Sequence, residues 1–257
     1  MKIKTLQWNI GGAIIRDINS DASLSDSYSI ESIDYIINYI NDLSPDLITI
    51  QESHSNNLTS QGKEISKRTN LKYYMDFIQT DSHLKKSEKL TLSILSNYPI
   101  QSSKYINFMN PNWKLIRSNG DIWYSHDKGI GFAEVEIEGK TLLIETLQLM
   151  PFRKYEKDIL SEELEIVKTD ISSKIFNNLA HERVLIQGDF NLNFQSLKDV
   201  FNQISEDKFL EIEIFQDTTP RGRKYDHIIY KGIKLLSFKI DSEILTDHYS
   251  LVCEFEI

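Results

Sequence analysis

Cysteine is almost absent from this chain: Cys253 is the only one in 257 residues. A single thiol excludes an intrachain disulfide framework and a thiolate zinc cage. Cys253 sits inside an apolar run near the C-terminus and reads as a small core residue. No apolar run is long enough to span a membrane. The first strand pattern opens almost at Met1, leaving no room for a charged and then apolar leader. The expectation is a soluble, cytoplasmic monomer without a membrane anchor. Excess positive charge is missing too. The formal net charge is −9, from 29 Lys and Arg against 38 Asp and Glu, which argues against a protein that coats nucleic acid by neutralising phosphates. A nuclease is not excluded, because carboxylates gathered around a divalent cation enter the same count and the cation reverses their local sign. Repeats, low-complexity blocks and Pro/Gly/Ser-rich linkers are also lacking, so residues 1–257 read as one domain, a length that α/β and sandwich folds reach without splitting.

What is present is apolar sequence interrupted by polar clusters. Hydrophobic residues make up 40% of the chain and aromatic residues 11%, enough for a buried core. Strand patterns at 2–7, 46–50, 183–187, 225–230 and 250–257 each abut a short polar cluster. These clusters are Trp8-Asn9-Ile10-Gly11, Gln51-Glu52-Ser53, Gly188-Asp189-Phe190-Asn191, Tyr225-Asp226-His227 and Thr246-Asp247-His248-Tyr249. Acids, amides and imidazoles at strand ends give a rigid sheet a constellation of reactive groups to present to solvent.

Between the clusters, residues 23–41 carry isoleucines at helical spacing and predict an amphipathic helix. Residues 56–69 predict a second, weaker helix. Residues 73–78, 90–95 and 101–108 predict strands, the last two joined by a turn at Asn97-Tyr98-Pro99. Residues 132–137 and 141–147 alternate around Glu138-Gly139-Lys140 and predict a hairpin. Residues 155–179 predict a long charged helix, and residues 110–128 a long loop bearing Trp113 and Trp123. Strands alternating with helices indicate a layered α/β domain.

The clusters suit phosphodiester hydrolysis. That reaction needs the charge of the transition state neutralised, a water deprotonated and held in line, and the leaving oxygen stabilised. Oxygen-rich carboxylate sites suit Mg²⁺ or Mn²⁺, which supply neutralisation. Glu52 is the leading candidate for a direct metal ligand. Asp189 suits the orientation and deprotonation of water, and Asn191 suits donation to the phosphoryl group or to the nucleophile. His248 is the best-placed imidazole; a carboxylate partner would favour its charged form. His227 neighbours Asp226 and so points to the opposite face of its strand. Arg221, Arg223 and Lys224 form the main basic element, and Trp113 and Trp123 are candidates for stacking on bases.

The order Asn9, Glu52, Asp189 with Asn191, Asp226, and Asp247 with His248 resembles the endonuclease/exonuclease/phosphatase superfamily across residues 6–255. The segment Ile94-Leu95-Ser96-Asn97-Tyr98-Pro99-Ile100 and the strand end Leu147-Gln148-Leu149 are similar to further motifs of that family. The resemblance implies an α/β four-layer sandwich, two packed mixed β-sheets flanked by helices on both outer faces, with the site at one edge. It implies that Asn9 and Asp247 join Glu52 at the metal and that Asp226 partners His248. Gln148 departs from the pattern, since many members carry His or Tyr there, and an amide can donate a hydrogen bond but cannot act as an acid. The resemblance implies a metal-dependent phosphodiesterase with a nucleic-acid substrate. A lipid or small-molecule phosphodiesterase of the sphingomyelinase kind, and a non-catalytic binding module on the same fold, are the alternatives.

Overall fold

Strands that are buried at nearly every position need cover on both faces, and the runs 3–9 and 184–189 are of this kind. The computed structural model describes residues 1–85, 87–116, 120–177, 180–194 and 196–257. Its first half contains β1 (Lys2–Asn9), β2 (Ile14–Arg16), β3 (Tyr28–Glu31), α1 (Ile33–Leu43), β4 (Leu47–Ser55), α2 (Gln61–Arg68), β5 (Tyr73–Asp81), β6 (Lys89–Ser96) and β7 (Ile100–Asn107). There follow β8 (Lys114–Ile116), β9 (Ile122–Tyr124), β10 (Gly129–Ile137), β11 (Lys140–Gln148), α3 (Glu165–Ile175) and β12 (Val184–Asp189). The chain ends with α4 (Gln203–Glu206), β13 (Leu210–Glu211), β14 (Asp226–Lys231), β15 (Lys234–Asp241) and β16 (Ser250–Glu256).

The strands build two six-stranded mixed sheets, in the orders β15-β16-β1-β4-β6-β5 and β13-β14-β12-β11-β10-β7. Each sheet has one parallel pair at its centre, β1 with β4 and β11 with β12, and antiparallel neighbours outside it. The two sheets pack through Leu47, Ile94, Val135, Ile144, Leu185 and Phe255. The outer face of the first sheet, including Leu6 and Ile48, is covered by Ile36, Ile37 and Ile40 of α1 and Ile65 of α2. The outer face of the second, including Leu143 and Ile186, is covered by Val167, Ile171 and Ile175 of α3. Two helical layers therefore enclose two sheets, the α/β four-layer sandwich.

Three expectations need correction. The helix predicted at 23–41 begins only at Ile33, where Ser32 caps it by accepting from the Tyr35 N–H at 3.2 Å. Residues Tyr28–Glu31 instead pair with β2, so Ile30 lies on a half-exposed strand and not on a helix face. The helix predicted at 155–179 shortens to Glu165–Ile175. Glu156 takes a left-handed conformation, φ 55°, and the Asp158 carboxylate accepts from the Leu160 N–H at 3.0 Å, so a turn forms in place of the first helical turns. Leu160 and Ile166, assigned to the inner side of that helix, are 47% and 71% exposed; Leu179 lies outside the described residues. The loop predicted at 110–128 contains the short ribbon β8–β9. The hairpin at Glu138-Gly139 is as expected: both residues have positive φ, 49° and 75°, which a two-residue turn joining twisted strands requires.

Candidate active site

Parallel pairs align their carboxyl ends, and three of the four central strands end on a polar side chain at the same edge of the sandwich. Asn9 ends β1, Gln148 ends β11 and Asp189 ends β12. Glu52 lies within β4 at a bulge. Against β6 the register passes from Ile50↔Ser93 to Ser53↔Thr91, so β4 carries one extra residue. Glu52 has φ 52° there, uncommon for a residue with a Cβ. Gln51 remains between the sheets, donating to Thr146 Oγ1 at 2.9 Å, while Glu52 opens onto the cleft. The antiparallel strands add their starting ends: Asp226 pairs with Asp189 at the head of β14, and Asp247-His248 lie in the turn before β16.

These groups stitch one sheet to the other. Asn9 Nδ2 donates to Asp189 Oδ2 at 3.0 Å, and Gln148 Nε2 donates to Glu52 Oε1 at 2.6 Å and to Asp189 Oδ2 at 3.2 Å. Gln7 Nε2 donates to Asp226 Oδ1 at 2.9 Å, and Thr218 Oγ1 to Asp226 Oδ2 at 2.7 Å. His248 Nδ1 lies 2.9 Å from Asp226 Oδ2. Asn191 donates its backbone N–H to Asp189 Oδ1 at 2.9 Å and its amide to Leu149 O and Asp189 Oδ2, at 2.9 and 3.3 Å. Among the described residues three donors crowd Oδ2 of Asp189 and one reaches Oδ1, which keeps a lone pair free of them.

A cleft of about 710 Å³ opens above this network, lined by Glu52, Gln148, Asp189, Asn191, Asp247 and His248 among others. Electrostatics sort the groups. Burial would depress His248, but the charge and hydrogen bond of Asp226, with Asp189 and Asp247 behind, raise its pKa well above 6.5. Burial raises Asp189 to about 6, aided by Asp226 and Glu52 and opposed by His248. Burial likewise raises Asp247, with Glu52 adding repulsion. Burial works against ionisation of Glu52, yet Lys128, then His83 and the Gln148 hydrogen bond, outweigh it and hold the pKa at about 2.

Two groups of side chains could hold a cation. Asp189, Asp226 and His248 offer ligand atoms within 4.8 Å of one another. In that trio His248 already binds Asp226 and is biased to imidazolium, which repels a metal. The half-buried carboxylates Glu52 and Asp247 both face the cleft and repel each other, a donor set suited to a hard divalent ion. Gly11 leaves room beside them, since a Cβ there would stand 3.0 Å from Asp247 Oδ1. Asn9 lies beneath, its Oδ1 accepting from the Gly11 N–H at 3.0 Å.

Of the sequence-derived candidates, Asn9, Glu52, Gln148, Asp189, Asn191, Asp226, Asp247 and His248 thus converge. Arg221 and Arg223 line the same cleft. Lys224, Trp113 and Trp123 do not. The Lys224 N–H donates to Asn193 Oδ1 at 2.9 Å, Trp113 packs edge-on to Phe152 at 5.5 Å, and Trp123 holds the Lys154 ammonium 4.4 Å from its ring centroid. His227 faces away, with Nδ1 3.2 Å from Glu211 Oε1. Sequence reasoning passed over His83, His126, Lys128, Arg153 and Lys154, which also line the cleft. Lys128 is buried and donates to Gln148 Oε1. A lysine immediately before the apolar run 129–133 was the available signal.

The sequence matches the model of the Endonuclease/Exonuclease/phosphatase family over residues 6–248. No curated protein matches significantly by sequence. Among solved structures, an endonuclease/exonuclease/phosphatase from Beutenbergia cavernae DSM 12333 is similar in fold, with a TM-score of 0.75 and 12% identity, covering 100% of this chain and 72% of that one. The human Nocturnin catalytic domain with bound sulfate aligns with a TM-score of 0.67 at 17% identity, over 99% of this chain and 94% of that one. D. rerio TDP2 complexed with a single-strand DNA product aligns with a TM-score of 0.59 at 13% identity, over 100% and 99% of the two chains.

Proposed function

The chain belongs to the Endonuclease/Exonuclease/phosphatase family, and from that membership we propose that it hydrolyses phosphodiesters in nucleic acid, by in-line attack of an activated water, with Mg²⁺ or Mn²⁺ as cofactor. The observation that carries this reading is the opposed pair at the strand ends: a carboxylate with a pKa of about 6 beside an imidazole held charged. Asp189 Oδ1 keeps the free lone pair that can take a proton from water, and a base is most effective when its pKa lies near the working pH. His248, fixed through Nδ1 by Asp226, turns its other N–H to a non-bridging phosphoryl oxygen. Asn9, Gln148 and Asn191 orient Asp189. Glu52, Asp247 and Asn9 are the residues that would hold the cation, which would neutralise charge on the phosphoryl group.

Nucleic acid is favoured by the cations of the cleft. Arg68 and Arg183 lie away from it and are ion-paired. Arg153, Arg221 and Arg223 line it, and none has a carboxylate partner among the described residues. Unneutralised guanidinium groups on a protein of charge −9 mark the place where a polyanion is met. The product strand in the TDP2 complex is a single-stranded DNA, in keeping with this reading. The test is a panel of labelled single- and double-stranded DNA, RNA, 5′-adducts and sphingomyelin, with Mg²⁺ or Mn²⁺ and with EDTA. Cation-dependent cleavage of a nucleic acid, abolished by EDTA, is expected. Turnover of sphingomyelin with inert nucleic acids would favour the lipid alternative. A cation-induced rise in Tm without any hydrolysis would favour the binding module.

A further inference from the structure

Breaking an alkyl phosphodiester leaves a strongly basic alkoxide, which needs a proton as the bond opens. The amide of Gln148, between Glu52 and Asp189, has none to give. Six histidines are available in the chain. Four are engaged: His54 Nε2 with Ser82 Oγ at 2.8 Å, His181 with Glu134 at 2.9 Å, His227 with Glu211 and His248 with Asp226. His83 and His126 make no hydrogen bond or ion pair with a described residue. Their rings stack with centroids 5.7 Å apart and planes 24° apart, and both line the cleft. His83 is open to solvent and close enough to Glu52 for its charge to act there.

Resting on the phosphodiesterase reading above, we infer that His83 is the proton donor to the leaving oxygen and that His126 is the positioning residue that holds its ring. In-line displacement puts the leaving oxygen on the side of phosphorus opposite the attacking water. Asp189 takes the water's proton; the Gln148 amide links it to Glu52, the carboxylate on which the charge of His83 acts. The water oxygen bonds to phosphorus while the ester P–O bond breaks. One water proton passes to Asp189, and the imidazolium N–H of His83 passes its proton to the departing alkoxide. The products are a phosphomonoester and an alcohol, and Asp189 and His83 return to their starting states by proton exchange with solvent. Lys128 is less suited to the task, since its ammonium is fixed on Gln148 Oε1. Burial lowers the pKa of His83, with Lys128 and Lys154 adding to the lowering and Glu52 and Asp247 opposing it, so its proton is readily given up; burial, His83, Lys128 and Lys154 likewise lower His126, opposed by Asp127.

The experiment uses thymidine 5′-phosphate esters of 4-nitrophenol, phenol and ethanol, hydrolysed by the full chain with Mg²⁺ or Mn²⁺. 4-Nitrophenolate leaves without a proton and ethoxide does not. His83→Ala and His83→Gln should each slow the ethyl ester by about 10²–10⁴-fold, the usual contribution of a positioned acid, and the 4-nitrophenyl ester by less than about tenfold. His126→Ala should give the same ordering at smaller size, with His126→Phe, which keeps a ring in the stack, partly restoring the ethyl rate. An equal loss on all three esters in folded variants, judged by unchanged Tm, would overturn the inference and leave the phosphodiesterase reading standing. Failure of the unaltered protein to hydrolyse any phosphodiester in the panel or this series would remove both.

Discussion

Asp189 and His248 share a buried neighbour, Asp226, and that neighbour makes them respond to pH in opposite senses. Asp189 must be ionised to accept a proton, so kcat/KM should rise as pH climbs through about 6. His248 must stay protonated to donate, so with the 4-nitrophenyl ester, whose leaving group needs no proton from His83, kcat/KM should fall as pH passes the raised value of His248. The Asp226 charge is the leading cause that raises His248 and also helps to raise Asp189. Asp226→Asn should therefore move both limbs of the profile to lower pH, the alkaline limb further. An alkaline limb that stays in place would refute the pairing. Asp189→Asn keeps the shape of the loop and removes the base, so kcat should fall by roughly 10²–10⁴-fold with the cation-induced rise in Tm retained. If the rise in Tm disappears, Asp189 is a ligand. The acids, amides and imidazole of this group were legible in the sequence because strand ends fix where a side chain can go. Lys128, His83 and Arg153 were not, because the cleft that gathers them is made by loops from both sheets.

At the scale of elements, the β4 bulge places Glu52, and the turn after β1 leaves the space beside Asp247, the second carboxylate proposed as a ligand. Both depend on left-handed backbone: Glu52 at φ 52° and Gly11 at φ 51°. A side chain at Gly11 would be strained and would press a methyl to within 3.0 Å of Asp247 Oδ1. Gly11→Ala is expected to leave the fold intact and to shrink the rise in Tm produced by Mg²⁺ or Mn²⁺; an undiminished rise would separate Asp247 from cation binding. The central strands were legible from their long apolar runs. The helices were not equally so, because periodicity finds apolar residues without saying where a helix begins. Ser32 caps α1, whereas Tyr28–Glu31, with apolar residues in a similar pattern, find hydrogen bonds on β2. The positive φ of Glu156 and the Asp158 turn similarly divide the segment before α3, and nothing in the spacing of Ile159, Leu164 and Val167 reports a turn between them.

At the scale of the whole molecule, the candidate site is confined to a seam. Gln7 to Asp226, Asn9 to Asp189 and Gln148 to Glu52 each cross from one sheet to the other, so the site exists only when the sheets are packed. The same packing concentrates charge: an acidic protein opens a cleft whose walls carry Arg153 after β11 and Arg221 and Arg223 before β14. A nucleic acid lying across the seam would meet both walls. Each phosphate neutralised by such a side chain releases condensed counterions, so affinity falls with salt at a slope set by the number of contacts. Arg153→Ala, Arg221→Ala and Arg223→Ala should each raise KM for a single-stranded oligonucleotide, and each should reduce the slope of log KM against log salt by up to about 0.7, the value for one lost contact on a single strand. Thymidine 5′-(4-nitrophenyl phosphate), too short to reach both walls, should respond less to all three substitutions. The comparison is informative because the bulk charge of −9 repels both substrates, and only local cations can reverse the sign for the longer one. Three variants that weaken oligonucleotide binding with an unchanged salt slope would mean that these arginines shape the cleft and do not meet phosphate.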